Sequence, residues 1–541
     1  MLLPLLTLLS LLATCFAAGA DPILISGNKF FFKTNGSQFY IKGVAYQADV
    51  TAANTNGSQS FVDPLADPAG CMRDIPYLQA LGTNTVRVYA IDTTQDHSQC
   101  MEALSNAGIY LIADLSQPTN SINREAPAWT TDLFTRYTSV VDALANYTNV
   151  VGFFAGNEVV ANSTNSAAAA FVKAAVRDTK AYIKAQGYRP IGIGYSANDD
   201  AGTRDLSANF FSCGPAADAV DFYGLNMYEW CGMSTFATSG YSARTKEFSN
   251  FTVPIFLSEY GCINPLPRTF DSVQAIYGPD MDTVWSGGIV YEYFEEANNY
   301  GLVSVSGSQV SKKTDYNILQ SQLAKATPTL VQSASFTPTN TQTRTCPSVM
   351  SAWSAMASPL PPAPNSNLCG CMMDSLLCVA SPNINMTALG DLFGVVCGLS
   401  NTACQGILAN GTTATYGAYS MCNTTEQLSF ILNQYYLGQK KVASACDFSG
   451  SATLVSAQST ASSCASLLSA AGSAGTQTVS ATAAAGSGGS ARSSGSSGSG
   501  TGSAASASSS SASAGLTPSG LRLQWAIVAT VVSLVLGVLF I

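Results

Sequence analysis

The sequence predicts an α/β fold, a (β/α)₈ TIM barrel, followed by a small disulfide-rich, mainly helical module and a disordered Ser/Gly/Ala tail. Three observations predict it. Residues 21–351 alternate short apolar runs with amphipathic stretches, as a parallel sheet covered by helices does. Eight cysteines then fall within about a hundred residues, at 369–468, the density of a disulfide scaffold. Beyond about residue 470 the chain is nearly all Ser, Gly and Ala, too poor in apolar side chains to bury a core.

Eight strand-like runs can be counted in order, at 39–45, 85–90, 109–115, 150–155, 190–195, 221–227, 254–258 and 288–294. Eight such units in about 330 residues fit a closed barrel with extra loops. Helical partners lie between the runs. In the Ala-rich stretch 167–185, for example, Phe171, Val172, Ala175, Val176, Tyr182 and Ile183 share one face. An open doubly wound sheet is the alternative, but no Gly-x-Gly-x-x-Gly follows the first run. The segment 352–368, with its Pro-rich stretch, reads as a stiff linker.

Function in a barrel sits at the C-terminal ends of the strands, so the count nominates Gln47, Tyr89, Asp114, Asn157, Glu158, Tyr228, Glu259 and Tyr291. The fourth and seventh runs each end in a glutamate, Glu158 and Glu259. A buried unpaired carboxylate is costly, so two of them at the same end of a barrel need a chemical reason. Glycosidic bond chemistry supplies one: one carboxyl protonates the leaving oxygen while the other attacks the anomeric carbon. Tyrosines and amides at the same end suit a sugar, whose hydroxyls take hydrogen bonds and whose ring faces stack on aromatics.

Charge and composition exclude other classes. The net charge is −9, with 24 Lys plus Arg over 541 residues, which disfavours nucleic acid. His97 is the single histidine, set in a polar loop and read as structural, so Ser-His-Asp devices and His-based zinc sites lose their key residue. No cofactor or metal is expected, since Cys-x-Cys spacing in an exported chain points to disulfides.

The ends of the chain suggest export. Residues 1–20 read as a signal peptide with a Leu-rich core. Residues 469–513 read as a linker, and 514–541 as the removed signal for a glycosylphosphatidylinositol anchor attached at Ser513; a tail-anchored helix is the alternative. Removing Cys15 with the leader leaves fourteen cysteines, an even number. Eight Asn-x-Ser/Thr sequons, at Asn35, Asn56, Asn146, Asn162, Asn250, Asn385, Asn410 and Asn423, fit a cell-surface glycoprotein bound to the outer leaflet of the plasma membrane and to the cell wall.

Several long stretches resemble the fungal cell-wall β-1,3-glucanosyltransferases, glycoside hydrolase family 72. They include Gly43-Val44-Ala45-Tyr46-Gln47-Ala48-Asp49, Gly152-Phe153-Phe154-Ala155-Gly156-Asn157-Glu158-Val159, Leu225-Asn226-Met227-Tyr228-Glu229-Trp230-Cys231-Gly232 and Ser258-Glu259-Tyr260-Gly261-Cys262. The resemblance implies a retaining mechanism with Glu158 as acid/base and Glu259 as nucleophile, the two carboxyls about 5 Å apart. Asn157 would hydrogen-bond the sugar's 2-hydroxyl. Tyr89, Tyr291, the segment from Ser116 to Arg124, Asp199 and Arg204 would contact substrate. The partners implied are β-1,3-glucan donor and acceptor chains, bound by a monomer. The carboxylates serve transfer and hydrolysis identically, so an endoglucanase or a glucan-binding wall protein remain alternatives.

The Cys-rich segment resembles a module carried by one branch of that family, a glucan binder or a scaffold for the barrel. The resemblance also implies the pairings Cys71–Cys100, Cys213–Cys346, Cys231–Cys262, Cys369–Cys422, Cys371–Cys464, Cys378–Cys446 and Cys397–Cys404.

Overall fold

The computed structural model describes residues 19–48, 61–382, 384, 386–458 and 462–479. Residues 1–18 of the expected leader, the sequons at Asn56 and Asn385, Ser513 and the anchor signal lie outside them.

The chain opens with an antiparallel sheet of β1 (Ile23–Ser26), β2 (Lys29–Phe32) and β3 (Gln38–Phe39). Eight parallel strands follow: β4 (Ile41–Ala45), β5 (Thr85–Val88), β6 (Tyr110–Asp114), β7 (Val150–Asn157), β8 (Gly192–Asn198), β9 (Phe222–Asn226), β10 (Ile255–Tyr260) and β11 (Trp285–Val290). They form a closed barrel in sequence order, with β11 hydrogen-bonded to β4. The helices around it include α1 (Pro68–Leu81), α2 (Ser98–Asn106), α3 (Thr131–Leu144), α4 (Ala169–Ala185), α5 (Arg204–Ser212) and α6 (Tyr241–Glu247). Each barrel strand is buried almost throughout, because helices cover one side and the lumen the other.

The lumen is filled by aromatics. Phe154, Phe222 and Phe256 meet with ring centroids 5.3–6.0 Å apart, and Phe30 from β2 reaches Phe222 and Phe256 at 6.1 and 6.2 Å. The N-terminal sheet thereby closes one mouth of the barrel. Glycines make the room: a Cβ on Gly152 or Gly194 would lie 2.4 or 2.2 Å from the Phe222 ring. The eighth strand begins at Trp285, earlier than the expected 288–294, because Gly287 (φ 100°) is part of it. A Cβ there would sit 2.1 Å from the Ile41 carbonyl oxygen, so the close approach that closes the barrel needs glycine.

Two expected boundaries shift. Residues 352–368, read as a linker, carry Trp353 and Ala355 fully buried into the barrel's core, and the Pro361 carbonyl accepts from Arg177 on α4 at 2.9 Å. The module runs past 468: a helix at Ser462–Ala471 ends in fully buried Ala471, and Gly475 packs on Tyr419. The module has its own core, built around Leu428, Ile431 and Leu432 of the helix Thr424–Gly438. It also touches the barrel: the Tyr416 ring stands edge-on to Phe171 of α4, and the Thr131 N–H donates to the Met421 carbonyl at 2.8 Å. All seven cysteine pairs named above are bonded, three in the barrel and four in the module. His97 is buried and bonded to Asp63 at 2.8 Å, where it holds a loop.

Candidate active site

The charged centre of the site starts from Arg87, a fully buried arginine in the middle of β5. Its guanidinium lies 4.6 Å from the Phe154 ring centroid and 4.4 Å from that of Tyr89, so the aromatic floor of the lumen also supports a cation. It donates twice to Asp114 at the end of β6, at 3.1 Å each, a planar fork that fixes its orientation. Its remaining nitrogen reaches Glu259 Oε1 at 3.2 Å and the Ser258 carbonyl at 3.2 Å. Glu259 on β10 takes two more donors, Tyr89 Oη to Oε1 and Tyr228 Oη to Oε2, both 2.9 Å.

Burial pushes the Glu259 carboxyl above the usual carboxylate range; Arg87 opposes that, and the nearby Glu158 adds to it. Asp114 is raised by burial and lowered by Arg87. Burial alone would lower Arg87, but Asp114, then Tyr89 and Glu259, hold it above its ordinary value, so it stays a cation. Burial and then Glu259 raise Tyr89 and Tyr228 well above the ordinary phenol, so both remain neutral donors.

Glu158 follows the last residue of β7 and has φ 49°, a left-handed conformation that a glutamate adopts only when its surroundings enforce it. Its N–H donates to the Ser196 carbonyl at 2.8 Å, and its carbonyl accepts from Arg124 Nη2 at 2.6 Å. Its carboxyl Oε1 accepts from Asn226 Nδ2 at 2.8 Å, and the same nitrogen donates to Asn157 Oδ1 at 3.1 Å. Asn226 is the last residue of β9 and the register partner of Glu259. Glu158 thus stands just beyond β7 and Glu259 on β10, with β8 and β9 between them.

A cavity of about 370 Å³ opens beside Glu158, lined by Tyr89, Asp114, Ser116, Ile122, Arg124 and Asn157 among others. On the other side a ring of tyrosines faces Glu259. Tyr291 meets Tyr89 at 6.3 Å and Tyr300 at 5.3 Å, and Tyr300 meets Tyr228 at 5.8 Å. Buried Arg268 holds this ring by donating to the Tyr291 and Tyr300 carbonyls while paired with Asp315 at 2.7 Å. The Cys231–Cys262 disulfide ties the loop after β9 to the chain three residues beyond Glu259.

Three nominated residues are committed to the protein itself. The Gln47 amide accepts from the Tyr89 and Ala90 N–H groups at 3.0 and 3.1 Å and donates to the Val62 carbonyl, so it fixes the strand end that carries Tyr89. Asp199 and Arg204 are paired at 2.6 Å and extend through Arg244 and Glu247 into an ion network at the rim. Sequence reasoning assigned no role to Arg87, Asn226, Ser196, Ser258, Arg268 and Tyr300, although Asn226 and Ser258 stand in the stretches that carry the family resemblance. An arginine inside the apolar run of the second strand was the available signal for Arg87; the others differ in nothing from ordinary strand-end or loop residues.

Residues 12–327 match the family described as Glucanosyltransferase, glycoside hydrolase family 72, and residues 376–453 match the X8 domain. The chain is 55% identical over 458 residues to protein EPD1 of Candida maltosa, covering 84% of this chain and 82% of that one. It is 51% identical over 474 residues to a 1,3-beta-glucanosyltransferase of Arthroderma benhamiae, covering 84% and 87%. Among solved structures, Saccharomyces cerevisiae Gas2p in complex with laminaripentaose is similar, with TM-score 0.75, 44% identity, and 80% of this chain and 97% of that one covered.

Proposed function

The chain belongs to the glucanosyltransferases of glycoside hydrolase family 72, and from that premise we propose a retaining β-1,3-glucanosyltransferase in which Glu259 attacks and Glu158 is the acid/base. It cuts a β-1,3-glucan internally and passes the new reducing end to the non-reducing end of a second chain. The observation that carries the assignment is the unequal treatment of the two carboxyls. Glu259 takes three donors, one of them a cation, which favour its ionised form against the effect of burial. Among the described residues, Glu158 takes a single neutral N–H on one oxygen of its carboxyl.

Attack by Glu259 on the anomeric carbon forms a glucosyl ester as the glycosidic oxygen leaves with the proton from Glu158. Glu158, now ionised, removes the proton from the incoming 3-hydroxyl of the acceptor, and the ester is exchanged for a new β-1,3 bond. The tyrosines around Glu259 offer flat faces on which an acceptor sugar competes with water. All the groups named come from one barrel, which suits a monomer. A glycosylphosphatidylinositol anchor at the cell surface is part of this proposal, supported by the seven disulfides, which need an oxidising compartment.

The test is to trap the ester. A 2-deoxy-2-fluoro glucan donor with an activated leaving group should label the protein with one glycosyl unit, mapped by peptide mass spectrometry to Glu259. A label elsewhere, or turnover without any label, contradicts the assignment.

A further inference from the structure

Behind the two glutamates lies a set of neutral groups bonded directly to one another. Ser196 and Ser258 are fully buried and Asn226 nearly so. Both hydroxyls reach Asn226 Oδ1, Ser196 at 3.1 Å and Ser258 at 2.8 Å, and they lie 2.9 Å from each other. Each hydroxyl has one proton to give. Whichever way the Ser196–Ser258 bond runs, at least one hydroxyl donates to Asn226 Oδ1. The amide nitrogen is left directed at Glu158 Oε1 and Asn157 Oδ1. The set is anchored at its far end on Arg87, whose Nη1 lies 3.5 Å from Ser196 Oγ and also holds Glu259.

We propose that Asn226 is a positioning residue that keeps the proton of Glu158 on Oε2, ready for the glycosidic oxygen. The inference rests on Glu158 being the acid/base. The carbonyl-type oxygen of a protonated carboxyl is a better acceptor than its hydroxyl, so an N–H donated to Oε1 favours the proton on the other oxygen. When that proton passes to the glycosidic oxygen, the C1–O bond breaks and the Glu259–C1 bond forms. The same N–H then stabilises the new Glu158 carboxylate.

The test compares kcat/KM on two donors with the same sugar. One is a β-1,3-glucan oligosaccharide, whose alcohol leaving group needs a proton; the other is its 2,4-dinitrophenyl β-glycoside, whose leaving group does not. Asn226→Ala should lose about tenfold or more on the oligosaccharide relative to the dinitrophenyl donor, within the range that general acid catalysis supplies. Asn157→Ala, which removes a contact to the sugar itself, should lower both donors alike. Asn226→Leu, which fills a similar volume without donating, should show the same selective loss, with thermal melts confirming that each variant folds. Equal losses on both donors in the Asn226 variants would overturn the proposal. A wild-type chain that turns over neither donor would instead overturn the functional reading beneath it.

Discussion

Burying Glu259 and Asp114 on either side of Arg87 takes two carboxylates and one cation out of water. The cluster is one negative charge in excess, which suits a positively charged transition state but weighs against folding. Glu259 binds its proton more tightly in the native state than in the unfolded chain, so its ionised form costs stability. That cost is present at neutral pH and is recovered as the pH falls through the raised native value toward the ordinary carboxylate range. Glu259→Gln should therefore abolish turnover yet raise Tm at pH 7, and its advantage should narrow on acidification; an advantage that grows with acid would contradict the account. Arg87→Ala acts in the opposite direction. It strands Asp114 and Glu259 without their cation, and should cost about 3–5 kcal/mol of unfolding free energy in a denaturant titration. Arg87→Lys should restore charge but not the fork onto Asp114, and so recover only part of the stability.

At the scale of elements, the barrel depends on small residues placed where large ones need room. Gly194→Ala sets a methyl against Phe222 and should destabilise by about 1–3 kcal/mol or more, visible as a shift in the denaturation midpoint. The strands themselves were legible in the sequence because parallel strands buried on both faces read as continuous apolar runs. Glu158 and Glu259 were legible because a carboxylate at the end of such a run has no structural excuse. What the sequence hid was who holds whom. Gln47, nominated from its strand end, and Asp199 and Arg204, nominated from the family resemblance, have polar atoms that meet main chain or opposite charges, several of them from distant segments. Asn226 and the two serines are short polar residues at strand ends, and nothing local distinguishes a positioning amide from a turn former. The eighth run was placed three residues late, at 288–294, whereas the strand begins at Trp285 and Gly287 permits its close packing on β4.

Across the whole molecule, the Cys-rich module and the segment before it are continuous with the barrel rather than strung from it. Trp353 is fully buried in the barrel core, with its indole N–H on the Ala355 carbonyl at 3.0 Å. Tyr416 and Met421 carry the module onto α4 and the start of α3. Both contacts favour the scaffold reading of the module. A chain ended at residue 351 should unfold at markedly lower temperature than one ended at 479, and Trp353→Ala in the longer chain should account for about 3–5 kcal/mol of the difference. Equal melting temperatures for the two truncations would show that the module contributes nothing to the barrel.

In the proposed mechanism the ester on Glu259 is resolved by a sugar rather than by water. The direct measurement is to incubate the chain with a reduced β-1,3-glucan oligosaccharide of one defined length and separate the products by size. The account predicts products longer than the input, absent with Glu158→Gln or Glu259→Gln; shorter products alone would contradict it.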